Sequence, residues 1–549
     1  MACASRSKYM FVEYSAPPQK VEGQKRRRGG PSEVRAHITK EFHRRSRFQR
    51  LGALKTTVPL AGWLKSASNV ERGEGLGKDQ ESKEPNRIAM PTQSTDKDES
   101  LELKVSPGLR SMLVSNSDPT CVNVVISGYM PIGDEEKLAD NASQALAHTW
   151  PRTVPAKSRA LINPVKSAWL KCAMDSPVTF HAFIYATTLH LLEAYNGHEV
   201  IDSAPMLRLS HKIETIKLVN EQIKSLDGPP SDALLMAVTI LSVHGSRDDV
   251  LYPKAHPISP LAEAQFLRIY GSMVNAEEHV QGIMLLIAQK GGLDRIELYG
   301  LADTIALADL YFASKHVRRP LFPWRRPHES LVISGKHLLD PTAMDLDAKL
   351  GRGFRYFRST SAGRQLLGTL ESFCEVVTAL DHHTRKGPSA PELVDIIEAR
   401  NCAQHRLVSQ LPAEVDMSEA DCCVHHASRL ATLIFSDMVI FPLPAAQGVK
   451  MRLAPMLQRT LEACDRLGCW SLHAPVLLWA LTLGAIAASF QEGRTWYVSQ
   501  LELHLSLFHV KQWSTLESIC STFLWWNPVC GEPGQTLWDE IFPDGIQDT

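Results

Sequence analysis

The feature that most constrains the fold is a long series of segments, from about residue 118 onward, in which apolar residues recur at helical spacing. Apolar residues three or four positions apart line one face of a helix, whereas strict alternation indicates a strand. Alternation is confined mainly to CVNVVIS at 121–127. The pattern therefore predicts an all-α chain with a large, irregular multi-helix domain. The predicted helices span 177–195, 207–225, 231–244, 278–289, 296–313, 365–380, 390–407, 418–435, 450–467, 475–491, 495–507 and 512–523.

Several helix ends have recognisable signals. Ser231 follows two prolines and can cap a helix that Gly245 would stop. The pair Gly291 and Gly292 should end the helix at 278–289, because glycine readily adopts the left-handed conformation of a helix cap. Pro475 is predicted to begin a helix, where its missing N–H costs nothing.

Composition divides the chain into five parts. Residues 1–60 form a basic leader, and 61–117 are polar, punctuated by Gly and Pro, and typical of a disordered linker. Residues 118–330 and 365–549 are predicted to be the two helical parts of the domain. Residues 331–364 between them are predicted to be a long loop, and the helices are interrupted from 320 to 362.

The leader is unusual in charge. Residues 20–55 hold twelve Lys or Arg against three Glu, although the 549-residue chain has a net charge of only −1. Such clusters bind the acidic grooves of import receptors or the phosphates of nucleic acids, and a solvated basic face is the simpler alternative. The residues predicted for import or phosphate contact are Lys25, Arg26, Arg27, Arg28, Arg44, Arg45, Arg47 and Arg50.

Cysteine usage and hydropathy bear on the compartment. Eleven cysteines are scattered without a regular spacing, which favours a reducing environment over a disulfide framework. The first residues lack the apolar run of a signal peptide. The uncharged segment 474–490 lies at the lower length limit for a membrane span, and we interpret it as a buried core helix.

Catalytic and metal-binding motifs are not apparent. The sequence contains no G-x-S-x-G, H-E-x-x-H or kinase signature set, and GEGLGK at 73–78 lacks the first glycine of a phosphate loop. Cys422, Cys423, His425 and His426 would need further convergent ligands to hold zinc, so no metal is predicted. The DPTAMDLD stretch at 340–347 lacks the DDxxD pattern of a helical terpene cyclase. We therefore predict no enzymatic activity, no catalytic residues and no cofactor.

Other conspicuous residues have ordinary structural interpretations. The arginines of 325–326 and 352–358 are predicted to be solvated loop charge. The tryptophans of the C-terminal part are predicted to pack in the core or at an interface rather than to form a binding cage. They are Trp479, Trp496, Trp513, Trp525 and Trp526.

Three ordered blocks resemble a known family. The first comprises FVEY at 11–14 and VRAHIT at 34–39; the second HVQGI at 279–283, GGL at 291–293, ADL at 308–310 and RPLFP at 319–323; the third PVLLWA at 475–480, GA at 484–485, RTWY at 494–497, Trp513 and FLW at 523–525. Together they resemble the fungal-specific transcription factor domain, the regulatory domain of fungal zinc-cluster transcription factors. The resemblance implies an all-α regulatory domain, a fungal source, a nuclear location and a role in transcription.

One departure from the family pattern limits what the resemblance implies. Many family members carry six closely spaced cysteines that form a binuclear zinc cluster and read the major groove. In this chain, Cys3 is the only cysteine among the first 120 residues. The family's sequence-specific reading of DNA is therefore not carried over.

The leading hypothesis is a nuclear transcription regulator of fungal type, with control of a metabolic gene cluster as one role common among its relatives. Its expected partners are the nuclear import machinery, other transcription proteins, and DNA either directly or through another DNA-binding protein; no membrane is expected. The alternatives are a helical protein-interaction scaffold without direct promoter binding and a helical enzyme of the terpene-cyclase type.

Overall fold

A computed structural model describes residues 164–194, 204–245, 258–359, 361–412, 414–444 and 448–543. This part is 72% helical and has no strand, which confirms the all-α prediction. Its α-helices are α1 (Pro164–Asp175), α2 (Pro177–Ala194), α3 (Ala204–Lys224), α4 (Asp232–Val243), α5 (Leu267–Ser272), α6 (Glu277–Lys290), α7 (Leu301–His316), α8 (Pro341–Lys349), α9 (Ser361–Arg385), α10 (Leu393–Ser409), α11 (Ala420–Phe435), α12 (Val449–Arg466), α13 (Trp470–Ala487), α14 (Arg494–Leu507), α15 (Trp513–Ser521) and α16 (Asn527–Ile541). The basic leader, the linker and the alternating segment 121–127 lie outside the described residues.

The helices enclose two apolar cores that meet at α7. The first core is formed by α1 to α4, α6 and the beginning of α7, where Leu301 and Ile305 are buried. The second core takes Leu310 and Tyr311 from the later part of α7 and continues through α9 to α16. Helix α7 therefore contributes to both cores, and its middle lies at the junction between them.

Helix α13 is the centre of the second core. It is apolar on every side, and it packs against α11, α12, α14, α15 and α16. A helix that is hydrophobic all round is stable only where neighbours cover all of its faces. The tryptophans behave as predicted, since Trp479, Trp525 and Trp526 are buried and Trp496 and Trp513 pack against the same core.

Several predicted ends are confirmed. The Ser231 side chain accepts the Leu234 amide at the start of α4, which ends two residues before Gly245. Helix α6 ends at Lys290, and Gly291 follows in the left-handed conformation with φ of 92°. The amide of Gly292 donates to the carbonyl of Ile287, so the glycine pair closes this helix as expected.

The predicted start of α7 at residue 296 is wrong, because the helix begins at Leu301. The Asp232 carboxylate accepts the amides of Glu297 at 2.8 Å and Leu298 at 2.7 Å. These two hydrogen bonds hold the segment against the N-terminus of α4 and outside a helix. The residue that delays the start of α7, Asp232, lies on α4, so the local periodicity around residue 296 could not reveal it.

The predicted loop at 331–364 contains α8 and a 3₁₀ helix, Arg352–Ser359. Asp340 caps α8 by accepting the Ala343 amide at 2.7 Å, and Pro341 occupies the first turn. In the 3₁₀ helix, residues three apart share a side. Its three arginines are exposed, as predicted, while Phe354 and Phe357 point into the core.

Four further helices differ from the prediction. Pro475 lies inside α13 rather than at its start. The turn before Pro475 belongs to the same helix but is kinked at His473, where φ is −124°. The missing proline N–H explains the interruption. Helices α1, α5 and α16 were not predicted; α16 contains Pro533 and Gly534, residues that usually indicate a loop.

Candidate functional site

A mostly apolar cavity lies at the middle of α7, where the two cores meet. Its volume is about 60 Å³ as the space open to the centre of a water molecule. Its walls are supplied by α4, α7, Trp169 of α1 and the segment 270–275. One water needs roughly 10–15 Å³ on this measure, so the cavity can hold several waters or one small organic molecule.

A second cavity of about 40 Å³ adjoins the first. Thr239 and Val243 of α4, Asn275, and Ala308 of α7 line both cavities. Ala308 lines both spaces, and its small side chain leaves them open; a longer side chain at this position would fill them. The available space is therefore larger than the first cavity alone.

Lys315 is the most distinctive side chain of the cavity wall. It is 2% exposed, and its Nζ donates to the carbonyls of Tyr270 at 3.2 Å and Met273 at 2.7 Å and to Asn275 Oδ1 at 3.1 Å. In the described part of the chain, no carboxylate pairs with it. Burial, together with the positive charge of Arg452, lowers the pKa of Lys315 to about 7.

Arg400 is a second fully buried cation close by, on α10. Its guanidinium donates to the carbonyl of Leu261 at 3.3 Å and to Gln265 Oε1 at 3.1 Å. Gln265 and Phe266 both have left-handed backbones, with φ of 53° and 56°. Non-glycine residues adopt this region at a cost, so surrounding contacts must hold them there. Arg400 and Lys315 thus fix the two ends of the segment 261–275, of which Tyr270 and Asn275 line the cavity.

His244 supplies a different kind of polar group to the same wall. Its Nδ1 is 3.0 Å from the carbonyl of Ile240, an atom that only accepts, so Nδ1 carries the proton. Nε2 is then an acceptor, and it is buried without a hydrogen-bond partner. Burial lowers the pKa of His244 to about 3, which keeps the ring neutral near pH 7.

Aromatic rings fix the orientation of His244. His190 and Tyr270 pack edge-on against its ring at centroid distances of 5.8 Å and 5.5 Å. His190 Nε2 is also 2.9 Å from the hydroxyl oxygen of Tyr270. The carbonyl of His244 accepts the Tyr185 hydroxyl and, at 3.1 Å, Arg208. The His244 ring is therefore held in one orientation by these aromatic neighbours and by its bond to the Ile240 carbonyl.

A polar groove of about 530 Å³ lies on the outer side of α10. Its charges are mutually compensated: Arg326 pairs with Glu398 at 2.9 Å and Lys336 with Asp395 at 3.3 Å. Arg325 likewise contacts Asp294 at 2.5 Å and Asp303 at 3.3 Å. Arg325 and Arg326 both lie in a loop, as expected; Arg325 is exposed and Arg326 is half-buried, and both also form ion pairs.

The sequence-based candidates lie elsewhere. The eight basic residues from Lys25 to Arg50 fall outside the described residues. Cys423, His425 and His426 are buried in α11, and Cys422 donates to Glu419 Oε2 at 3.1 Å. Within the described ranges, no group of three or more His, Cys, Asp or Glu side chains is arranged to hold a metal ion.

Among the residues that the structure describes, one helix is long and apolar enough to cross a membrane. It is α13, and 72% of its most apolar window is buried inside the protein. That burial is typical of the core helix that the sequence predicted.

No protein-family model, curated protein or solved structure matches this chain. The fold and the cavity define an all-α, multi-helix domain with an internal space at the junction of two cores.

Proposed function

We propose that this chain is a nuclear transcription regulator of fungal type, and that its helices form a regulatory and interaction domain rather than an enzyme. Control of a metabolic gene cluster is part of this proposal. The observation that supports it is that, within each of the two blocks that the structure describes, residues resembling the fungal regulatory domain contact one another in the folded chain.

The first contact joins two parts of the second block. Asp309 of the ADL motif accepts the amides of Leu321 at 2.6 Å and Phe322 at 2.8 Å, both in the RPLFP motif. The carbonyl of Phe322 in turn lies 3.0 Å from His405 Nε2 on α10. The motif therefore anchors the chain after α7 against α10, a helix of the second core.

The second contact joins parts of the third block. Gly484 lies on α13 and Tyr497 on α14. A Cβ atom on residue 484 would lie 2.3 Å from Cε1 of Tyr497, so the two helices approach this closely only because residue 484 is glycine. Trp479 Nε1 donates to the carbonyl of Leu524 at 2.8 Å. Motif residues of α13 thus fix both α14 and the turn before α16.

Nuclear entry is proposed to depend on the basic leader, with import receptors as partners. Replacing Lys25, Arg26, Arg27 and Arg28 by alanine in a fluorescent fusion of the full chain should move the signal from the nucleus to the cytoplasm. A matched control replaces Lys212, Lys217, Lys224 and Lys349, which lie in the helical part, and should leave the signal nuclear. Unchanged nuclear retention of the first variant contradicts the import assignment.

The second candidate function is a helical interaction scaffold without promoter binding. The compensated ion pairs of the polar groove and the two extensive cores fit this role as well. Chromatin occupancy separates the two functions, because a scaffold gives stable protein complexes without discrete promoter peaks.

A further inference from the structure

The turn that joins α12 to α13 brings two cysteine side chains together. Helix α12 ends in a Schellman motif, in which the amide of Cys469 donates to the carbonyl of Cys464 at 2.9 Å and the amide of Gly468 to that of Asp465 at 3.0 Å. Gly468 has the left-handed backbone that this motif needs, with φ of 68°. The side chains of the two residues that the longer-range hydrogen bond joins commonly contact each other, and here both are cysteines.

The two thiols are in direct contact. Both cysteines are free, and the S–H of Cys464 donates a hydrogen bond to the sulfur of Cys469. A disulfide needs two cysteines on neighbouring backbone whose Cβ atoms point toward each other. The backbone hydrogen bond and the thiol contact together meet this requirement, so an S–S bond can form here without moving either helix.

A third thiol lies nearby but has a different contact. Cys423 on α11 is close enough to Cys464 and Cys469 to interact with them electrostatically. Its own S–H donates to Sδ of Met417 at 3.8 Å. The hydrogen bond between Cys464 and Cys469 therefore defines which two sulfur atoms are paired.

The exposed turn gives a small oxidant access to this pair. Residues 465–468 are exposed, and a Cβ atom added to Gly468 would meet no atom of the described residues within 4 Å. Cys469 follows this turn and is 3% exposed, whereas Cys464 is fully buried. Burial raises the pKa of both thiols, but the hydrogen bond from Cys464 opposes this change at Cys469. Cys469 is therefore the better nucleophile of the two, and its low thiolate fraction makes the reaction slow.

We propose that Cys464 and Cys469 form an oxidation site, which hydroperoxides convert into a disulfide across the turn between α12 and α13. The Cys469 thiolate attacks one oxygen of hydrogen peroxide and becomes a sulfenic acid, and the hydroxide that leaves takes up the thiol proton as water. The Cys464 sulfur then attacks the Cys469 sulfur, and the expelled hydroxyl leaves with the Cys464 proton as a second water. Two electrons pass from the sulfur atoms to the peroxide. This site goes beyond the proposed function and does not depend on nuclear entry.

The test is treatment of the purified, folded full chain with millimolar hydrogen peroxide for hours, followed by alkylation of the remaining thiols, tryptic digestion and mass spectrometry. Trypsin cleaves after Arg466, between the two cysteines, so the bridge joins peptide 460–466 to peptide 467–494. We expect these joined peptides from the oxidised chain and their separation by dithiothreitol.

Three outcomes overturn the proposal. The first is a folded, peroxide-treated chain in which both cysteines are still alkylated as free thiols. The second is a bridge that forms only in denaturant, because it would then belong to the unfolded chain. The third is peptide 467–494 joined instead to 407–429, which contains Cys423, because the partner would then be wrong.

Variants identify the attacking and the resolving thiol. Cys464→Ala should stop the oxidation of Cys469 at the sulfenic acid, which dimedone traps, and Cys423→Ala should leave the bridge intact. If Cys464→Ala does not fold, Cys469→Ala tests the same pair and should leave Cys464 reduced. Cys520→Ala is the matched control, because Cys520 and Cys530 are also buried near each other but lie within α15 and α16. Oxidation of Cys464 at the wild-type rate in folded Cys469→Ala, or loss of the bridge in folded Cys520→Ala, would contradict the assignment.

Discussion

Asp309 accepts the backbone amide of Leu321 at 2.6 Å, and the same carboxylate oxygen accepts Phe322 at 2.8 Å. The carboxylate is 8% exposed, and its burial raises its pKa even though the two amides oppose that change. This contact holds the chain that leaves α7 at the boundary between the two cores.

Replacing Asp309 tests this contact. Asp309→Ala leaves two partly buried amides without their acceptor and should lower the free energy of unfolding by about 1–2 kcal/mol. Asp309→Asn keeps an acceptor oxygen and should recover most of that loss. Chemical denaturation measures both, with the exposed Asp345→Asn as the control. Equal losses for Ala and Asn would show that the hydrogen bonds are not the cause.

Gly484 tests the close approach of α13 and α14. Gly484→Ala places a methyl group 2.3 Å from Tyr497 Cε1, and Tyr497 is held by the bond from its hydroxyl to the carbonyl of Ala454 at 2.7 Å. Overpacking of this kind should cost about 2 kcal/mol or more.

The matched control is Gly282→Ala in the middle of α6. The nearest atom to its new methyl group is Val238 Cγ1 at 4.0 Å, which is ordinary contact. Because alanine favours helix over glycine, this variant should be neutral or stabilised by up to about 1 kcal/mol. Thermal unfolding measures both, and a Gly484→Ala melting temperature at or above that of wild type would contradict the packing described.

Lys315 predicts a dependence of stability on alkaline pH. Its pKa is lowered to about 7 in the folded chain from 10.5 when unfolded. The unfolded state therefore binds more protons between these values, so stability rises with pH through this window. Between pH 7 and 9, wild type should gain about 2 kcal/mol relative to Lys315→Met.

Denaturant unfolding at several pH values measures this difference. Lys349→Met, at an exposed position on α8, should retain the wild-type slope. Identical slopes for wild type and Lys315→Met would mean that Lys315 is not buried as a cation.

A buried histidine predicts a loss of stability at acidic pH. Burial lowers the pKa of His190 to about 4, against 6.5 in the unfolded chain. Protons then bind preferentially to the unfolded state, and stability is lost as pH falls below 6.5. From pH 7 to 5, His190→Phe should lose about 2 kcal/mol less than wild type. Calorimetric melting at both pH values measures it, and parallel losses would contradict the prediction.

The helices themselves were largely predictable from periodicity and end signals such as Ser231 and Gly291. Tertiary contacts decided the exceptions. Asp232, at the start of α4, keeps residues 297–298 out of α7. Gly534 is required inside α16 because Trp513 and Trp525 pack directly against it. No local pattern shows such contacts.

The cavity was less predictable than the fold. Lys315 is a single lysine at the end of an apolar run, LADTIALADLYFAS, and that placement was a signal that the sequence interpretation did not use. Nothing local shows that His244 has a free acceptor, because its burial depends on His190 and Tyr270, which lie on other helices.

The central claim is that the chain regulates transcription in the nucleus. Chromatin immunoprecipitation of the tagged full chain from its source organism, followed by sequencing, tests it most directly. We predict discrete peaks upstream of a limited set of genes. These peaks should disappear when Lys25, Arg26, Arg27 and Arg28 are replaced by alanine. Signal no higher than in an untagged strain, with the chain recovered in stable protein complexes, would contradict the account and leave the scaffold function.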